Sequence, residues 1–122
     1  SLTYLDCGNN KLTELPKLPE SLISLYCEDN KLTELPKLPD GLKYLDCDNN
    51  KLTELPKLPN NLKYLDCGDN KLTELPKLPD SLTDLYCYNN NLPYEITIDN
   101  IKEHNNKLIL KKRKEILEKI RI

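Results

Sequence analysis

The chain has 122 residues, which is enough for one domain and little more. Its 18 basic and 20 acidic residues give a net charge of −2, which excludes a globally basic nucleic-acid-binding protein. No apolar run approaches the roughly 18 residues that a membrane-spanning helix needs, and no signal-peptide pattern opens the sequence. We therefore expect a soluble protein that is either globular or solenoidal.

An internal repeat of 20 residues dominates the sequence. Cysteines recur at this interval, as do the asparagines three positions after them, and the string KLTELPKLP occurs four times, at 11–19, 31–39, 51–59 and 71–79. Stacked repeats of this length are typical of solenoid proteins. Five units therefore occupy residues 1–92, the last of them partial, and residues 93–122 form a segment that does not repeat.

Each unit is predicted to contain a short strand, a turn and an extended return. Leu5 and Cys7 alternate with polar residues, as in a strand with one buried face, and residues 8–10 form a turn signal. Pro16 and Pro19 exclude a helix and suit an extended polyproline segment. One unit buries too little apolar surface to offset its conformational entropy, so neighbouring units are expected to stack into a parallel sheet.

Two ladders of side chains follow from this stacking. An asparagine amide offers donors and acceptors to the buried backbone of a turn, which predicts a structural Asn ladder of Asn10, Asn30, Asn50, Asn70 and Asn90. The cysteines are predicted to be small buried apolar groups, forming a Cys ladder of Cys7, Cys27, Cys47, Cys67 and Cys87. Side chains in register run parallel and five is an odd number, so disulfides are not expected. Free thiols suit a reducing compartment, the cytoplasm or a host-cell cytoplasm.

The residues that alternate with the buried ones form the candidate binding surface. We call this surface the concave face; it comprises Tyr4, Asp6, Tyr26, Glu28, Tyr44, Asp46, Asp48, Tyr64, Asp66, Asp69, Asp84, Tyr86 and Tyr88. Tyrosine is enriched in binding hot spots, and carboxylates favour a basic partner. The alternative is that these residues are cross-strand neighbours copied with the repeat and have no binding role.

Other kinds of site find little support in the sequence. Calcium takes several oxygen ligands, and Asp46, Asp48, Asp66 and Asp69 would be the candidates, but no loop motif supports such a site and no metal is predicted. The cysteines spread along a sheet and cannot converge on one metal ion. No nucleophile–base pair, phosphate-binding loop or zinc spacing occurs, so neither an enzymatic activity nor a cofactor is expected.

The pattern Leu2-x-x-Leu5-x-Cys7-x-x-Asn10-x-Leu12 resembles the leucine-rich repeat family over about three quarters of the chain. The 20-residue unit with Leu-Pro-x-Leu-Pro is similar to the bacterial effector subtype, which includes YopM-like scaffolds and IpaH-type repeat domains, and to units of giant-virus repeat proteins. The resemblance implies a curved solenoid that binds through its concave parallel sheet. No counterpart of that subtype's helical cap precedes Ser1, and no ligase domain is present, so ligase activity is not expected.

Residues 93–122 are predicted to form a helical C-terminal cap on the solenoid. Helix-forming residues run from Asp99 to about Arg121, and a kink is expected at Asn105-Asn106. Thr97 and Asp99 are the alternative N-caps, and His104 is predicted to be a surface or cap residue. An apolar stripe at helical spacing comprises Ile101, Leu108, Ile109, Ile116, Leu117 and Ile120. The basic run 111–114 is either a solvated face or a contact with an anionic surface or nucleic acid.

These features predict a non-catalytic protein-interaction module. The expected partner is a protein with a basic surface, and neither nucleic acid nor a membrane is an expected partner. The alternative is a structural or self-associating scaffold, a fragment of a longer array, that pairs through the strand edge of an uncapped first unit.

Overall fold

A computed structural model describes residues 1–121 and shows five strands in one parallel sheet. The strands are β1 (Tyr4–Asp6), β2 (Ser24–Tyr26), β3 (Tyr44–Asp46), β4 (Tyr64–Asp66) and β5 (Asp84–Tyr86). They lie in chain order, and equivalent repeat positions pair, so that Leu25 is opposite Leu45 and Leu45 opposite Leu65. The predicted solenoid with a parallel sheet is confirmed, since the repeat period and the strand register coincide.

The core is a stack of leucine and cysteine side chains that repeats from unit to unit. In the third unit Leu42, Leu45, Cys47 and Leu52 have no exposed surface. Each buried leucine contributes roughly 1.5–3 kcal/mol from the transfer of apolar surface out of water. The proline-containing returns contain neither helix nor strand, and backbone bonds such as Lys31 N to Leu12 O (2.8 Å) join one unit to the next. Stability therefore depends on contacts between units.

The first unit departs from the predicted ladders. Cys7 is half-buried, whereas the other four cysteines are buried, and the side chain of Asn10 is exposed. The physical reason is that among residues 1–121 a unit packs against only one side of β1. The prediction of a buried Cys ladder therefore needs correction at Cys7, and that of a unit-linking Asn ladder at Asn10.

A short 3-10 helix (Ile98–Asn100) and helix α1 (Ile101–Ile120) follow the sheet. Thr97 caps the 3-10 helix. Its hydroxyl accepts a hydrogen bond from Asp99 N (3.3 Å), and the side chain of Asn100 accepts one from Thr97 N (2.8 Å). The helix runs unbroken through the Asn105-Asn106 pair, so the expected kink is wrong. Asn105 instead accepts from Leu78 N (2.9 Å) and donates to Leu78 O (2.8 Å), which fastens the helix to the solenoid.

The cap contact also buries the single histidine. His104 is 2% exposed, and its two ring nitrogens lie 2.7 Å from the Tyr94 hydroxyl and 3.0 Å from Pro76 O. A carbonyl only accepts, so Nε2 carries the proton and Nδ1 accepts from Tyr94. The predicted apolar stripe divides: Ile101 is buried, but Ile109, Ile116, Leu117 and Ile120 are 49–68% exposed. Only the first half of α1 therefore covers the end of the solenoid.

Candidate binding surface

Alternation along the short strands places the outward side chains of the concave face together on one surface. Its tyrosines at 4, 44, 86 and 88 are 38–56% exposed, and those at 26 and 64 are half-buried. Asp6 and Asp84 are exposed, while Glu28, Asp46, Asp48, Asp66 and Asp69 are partly buried. Phenol rings and carboxylates therefore share one open surface, and leucine and cysteine fill the interior.

Two pairs of tyrosines on the concave face make ring contacts. The ring centroids of Tyr4 and Tyr26 are 5.3 Å apart, and those of Tyr64 and Tyr86 are 5.9 Å apart, both in tilted arrangements. Tyrosine occupies the first position of β1 and β4 but the third position of β2 and β5, so these contacts are diagonal between strands. Such distances are those of favourable aromatic pairs, which hold the rings in place while leaving surface exposed.

Three carboxylates of the third and fourth units converge at the carboxyl ends of their strands. Oxygens of Asp46, Asp48 and Asp66 all lie within 4.8 Å of one another. The turn backbone holds two of them, since Asp48 N donates to Asp46 (3.2 Å) and Gly68 N donates to Asp66 (3.1 Å). Like charges directly opposite each other on a sheet are destabilising, and a basic ligand would relieve that repulsion. We call these three residues the acidic cluster.

The protein environment makes these acids harder to ionise. Burial raises the pKa of Asp46 to about 7, and the charges of Asp48, Asp66 and Glu28 add to that effect, although the hydrogen bond from Asp48 N opposes it. Burial is also the first cause of the raised pKa values of Asp48, Asp66 and Glu28. The acidic cluster is therefore a place where negative charge is concentrated at a cost in free energy.

The acidic cluster differs from the calcium ligand set considered from the sequence. Asp69 lies outside it, and its carboxylate accepts from Asn89 Nδ2 (2.8 Å) instead. Three carboxylates that each bring one oxygen to a common point supply fewer ligands than the six to eight oxygens that Ca²⁺ takes. The cluster concentrates negative charge on this part of the concave face.

The turn after each strand gives some of the predicted surface residues a structural task. The second turn residue of every unit has a left-handed backbone, with φ between 50 and 58° at Asn9, Asp29, Asn49, Asp69 and Asn89. Asparagine and aspartate tolerate this region better than other non-glycine residues. In addition, Asn49 Nδ2 donates to Asp29 (2.6 Å) across neighbouring turns. The sequence signal for this role is that only Asn or Asp occupies the position.

Glycines at one repeat position make room for larger neighbours, a feature that the sequence analysis missed. A Cβ atom at Gly68 would lie 2.6 Å from the Tyr88 ring, and one at Gly8 would collide with the Glu28 carboxylate. Tyr88 thus lies over Gly68, and its hydroxyl reaches to 3.4 Å from Asp48. One buried Glu28 oxygen has no hydrogen-bond partner among the described residues. The sequence could have indicated this feature, because the position holds glycine in two units and a larger residue in the unit after each of them.

The Asn ladder links successive units through their turns. Asn50 Nδ2 lies 3.1 Å from each of three carbonyl oxygens, those of Cys27, Cys47 and Asp48, and Asn50 Oδ1 accepts from Leu32 N (3.0 Å). Equivalent bonds occur at Asn30, Asn70 and Asn90. The ladder fixes the turns that position the concave face.

We expect the protein to lose stability as the pH rises from about 4 to about 8. The folded-state pKa of Asp46 lies above its ordinary value of 3.8, so in this window the folded state binds more protons than the unfolded state. Because Asp46 is partly solvated, we expect a difference in Tm of about 5 °C, the shift that about 1 kcal/mol produces in a domain of this size. Thermal unfolding at pH 5 and pH 8 measures it.

Asp46→Asn should reduce this pH dependence and raise Tm at pH 8, since an amide oxygen can still accept from Asp48 N. The matched control is Asp6→Asn, because Asp6 is exposed and accepts the equivalent bond from Gly8 N (3.0 Å). An unchanged pH dependence in Asp46→Asn would show that the acidic cluster is not its source.

Comparisons with known proteins agree with the geometry. The family model "Leucine Rich repeats (2 copies)" matches residues 20–60, and the model "Leucine Rich Repeat" matches residues 1–22 and 61–82. No curated protein matches the chain significantly. Solved structures similar to it include YopM from Yersinia enterocolitica, a Shigella effector LRR domain, and the leucine-rich effector YopM from Yersinia pestis.

The similarity covers most of this chain but only part of each effector. The YopM structure from Yersinia enterocolitica is 44% identical, with a TM-score of 0.76 over 78% of this chain and 21% of its own length. The Shigella domain is 39% identical, with a TM-score of 0.73 over 79% of this chain and 44% of its own. For YopM from Yersinia pestis the identity is 47% and the TM-score 0.66, covering 68% and 24%. The chain thus spans less than half of each structure.

Proposed function

The chain belongs to the leucine-rich repeat family, in its bacterial effector-like form, and we propose that it is a non-catalytic module that binds a protein through the concave face. Similarity to effector repeat domains suggests a protein-interaction module. We also propose that it acts in a reducing compartment, the cytoplasm of its own or a host cell. The five free thiols, four of them buried, support that proposal.

One observation carries the choice of surface: the concave face exposes tyrosines beside the acidic cluster, although the buried core contains neither. The core of the repeats consists of leucine and cysteine, and the outward phenol rings at Tyr44 and Tyr86 lie outside it. Repeat positions on the convex side are nearly invariant in this sequence, whereas those on the concave face vary. Such variation suits a surface adapted to one partner.

The partner that this surface fits is a protein segment rich in Lys or Arg. In the strand register Asp46 and Asp66 lie between the half-buried Tyr26 and the exposed Tyr86. A guanidinium or ammonium group there would gain charge-assisted bonds and contact with an aromatic face. A basic group there would also offset the repulsion among the acids, which adds to the effect of burial on the pKa of Asp46. Binding energy therefore comes both from new contacts and from relief of a destabilising arrangement.

The experiment is an affinity capture from cell lysate that compares the wild-type chain with Tyr44→Ala/Tyr64→Ala and with Asp46→Asn/Asp66→Asn. We expect both variants to lose the same partner by roughly tenfold or more, because hot-spot side chains each contribute about 2 kcal/mol. Release of the partner from the wild type by 0.5 M salt would indicate the acid–base contact.

The matched control for the capture is Lys51→Ala/Lys71→Ala, which changes two exposed residues of the return segments. Thermal unfolding checks that every variant is folded. Recovery of an identical set of proteins by the wild type, the tyrosine variant and the aspartate variant would refute binding through the concave face.

Self-association is a second candidate, favoured by the outer edge of β1. Within residues 1–121 this strand pairs only with β2, so its other edge presents unpaired backbone groups. Leu2 beside it is 48% exposed. A dimer formed at this edge predicts a molar mass in light scattering that rises with concentration and falls in Leu2→Glu. A concentration-independent monomer would exclude it.

A further inference from the structure

The second half of α1 exposes apolar side chains that no described part of the solenoid covers. Ile109, Leu110, Ile116, Leu117 and Ile120 are 49–68% exposed, and every residue from 110 to 120 is exposed. The first half is different, because its buried His104 and the Asn105 amide fasten it to the solenoid. We call residues 101–108 the docked half of the helix and residues 109–120 the free half. The free half has an apolar surface of its own.

The free apolar residues lie on nearly the opposite side of α1 from the docked face. At about 100° per residue, they fall within a sector of about 120°. The docked residues Ile101, His104, Asn105 and Leu108 lie together on another sector of about 100°, whose centre is roughly 130° away by the same geometry. Lys111 also points toward the solenoid, where its ammonium is 3.5 Å from Glu74. The apolar sector thus faces outward and is accessible to a flat surface.

Basic residues flank the outward sector on both sides. The same helical geometry puts Lys112 and Lys119 about 40° and 60° beyond one border of the sector and Lys114 about 40° beyond the other, all of them exposed. Lys107 lies on the Lys114 side but is held by a contact with Tyr94, since its ammonium is 3.9 Å from the centroid of that ring. Glu115 and Glu118 lie on the far side. Arg113 falls inside the sector, where a long side chain can extend its charged end to the polar boundary. Residues 111–121 carry six basic and two acidic groups, a net charge of +4.

We propose that the free half of α1 binds the surface of an anionic lipid bilayer, with the apolar sector at the headgroup–acyl boundary. An apolar sector between two basic borders matches a surface that offers hydrocarbon below and negative headgroups on both sides. A second copy of this helix does not match it, because pairing of the two sectors would bring their lysine borders together. The charge distribution of the helix therefore favours an anionic, laterally extended partner.

The helix would lie along the bilayer, not across it. No helix among residues 1–121 has the length and apolarity that spanning requires. The sequence analysis considered a contact with an anionic surface only for the basic run 111–114, and it assigned the apolar stripe of α1 to the cap. In the structure four residues of that stripe are exposed, and the proposal rests on this difference. The surface is separate from the concave face and from its proposed protein partner.

The test is flotation of the full chain with vesicles of phosphatidylcholine alone or with 30% phosphatidylserine. We expect binding to the anionic vesicles, little binding to the neutral ones, and release at 0.5 M salt. The chain has no tryptophan, so Leu117→Trp gives a single indole whose emission should shift to shorter wavelength with anionic vesicles. Leu117→Ser/Ile120→Ser and Lys112→Glu/Lys119→Glu should each weaken binding by roughly tenfold or more.

Two matched variants keep the interpretation specific. Leu2→Ser removes an exposed apolar residue far from α1, and Lys51→Glu/Lys71→Glu reverses two charges on the repeats; both should bind vesicles like the wild type apart from a small charge effect. Circular dichroism verifies folding. Failure to bind anionic vesicles, equal binding to neutral vesicles, or undiminished binding by the Leu117→Ser/Ile120→Ser chain would each overturn the proposal.

Discussion

Replacing Asn50 with alanine is expected to lower the free energy of unfolding by about 3–5 kcal/mol, one of the largest effects of a single polar substitution in the repeats. The Asn50 amide bonds three carbonyl oxygens, and each of these retains another partner. Leu32 N is different, because its 3.0 Å bond to Asn50 Oδ1 is the only hydrogen bond it makes within residues 1–121, and it lies in a buried setting. The variant therefore leaves an unpaired buried N–H group, loses hydrogen bonds and opens a cavity.

The matched control is Asn10→Ala, at the same position of the first unit. Asn10 is exposed and bonds only within its own turn, to Cys7 O (2.9 Å) and Gly8 O (3.1 Å). Its replacement should cost less than about 1 kcal/mol, since water can take over the lost bonds. Denaturant unfolding followed by circular dichroism measures both variants through the shift in midpoint. Similar losses at the two positions would mean that the ladder does not stabilise through its links between units.

Leu45→Ala is the second large effect, expected to cost about 2–5 kcal/mol. Leu45 has no exposed surface and lies between Leu25 and Leu65 of the adjacent strands. Truncation removes three carbons from the centre of the stack and leaves a cavity shared by three units. Stability in a solenoid is a sum of contacts between neighbouring units, so weakening the central contacts should also make the units before and after Leu45 unfold less cooperatively with each other. A broader unfolding transition would reveal this loss.

Leu5 offers the comparison for Leu45, since both occupy the middle of their strands. Leu5 is half-buried, because only one unit packs against it among the described residues. Leu5→Ala should therefore cost roughly 1.5 kcal/mol or less, with no broadening of the transition. The asparagine pair and the leucine pair test the same hypothesis, that a side chain stabilises this fold in proportion to the number of units that it joins. Equal costs at Leu5 and Leu45 would contradict that hypothesis.

The sequence was sufficient to predict which residues form the candidate site, but not how their surroundings change the pKa values of the acids. Period-two alternation around Leu45 indicates that Tyr44 and Asp46 point outward, whatever the partner is. The sequence does not give the depth of each carboxylate, on which the raised pKa of Asp46 depends. The sequence analysis assigned Asp69 only to binding sites. Its left-handed backbone and the hydrogen bond that it accepts from Asn89 show that Asp69 is also a structural residue of the turn.

The sequence by itself determined the architecture, because a strict 20-residue period leaves one way to bury the repeated leucine and cysteine positions together. Equivalent positions must stack, and this sets the strand order, the register and the outward rows. It did not determine what covers the end of the stack. The apolar residues of α1 allow several sides of the helix to dock, and periodicity does not choose among them.

Only the tertiary structure made that choice, through hydrogen bonds that helical spacing does not reveal. His104 meets Pro76 O and Asn105 meets the backbone of Leu78, which turns Ile116 and Ile120 away from the solenoid. The convergence of Asp46, Asp48 and Asp66 is likewise a product of stacking, since it joins two units. Local pattern fixes which groups can be buried or exposed, whereas distances between units decide which of them meet.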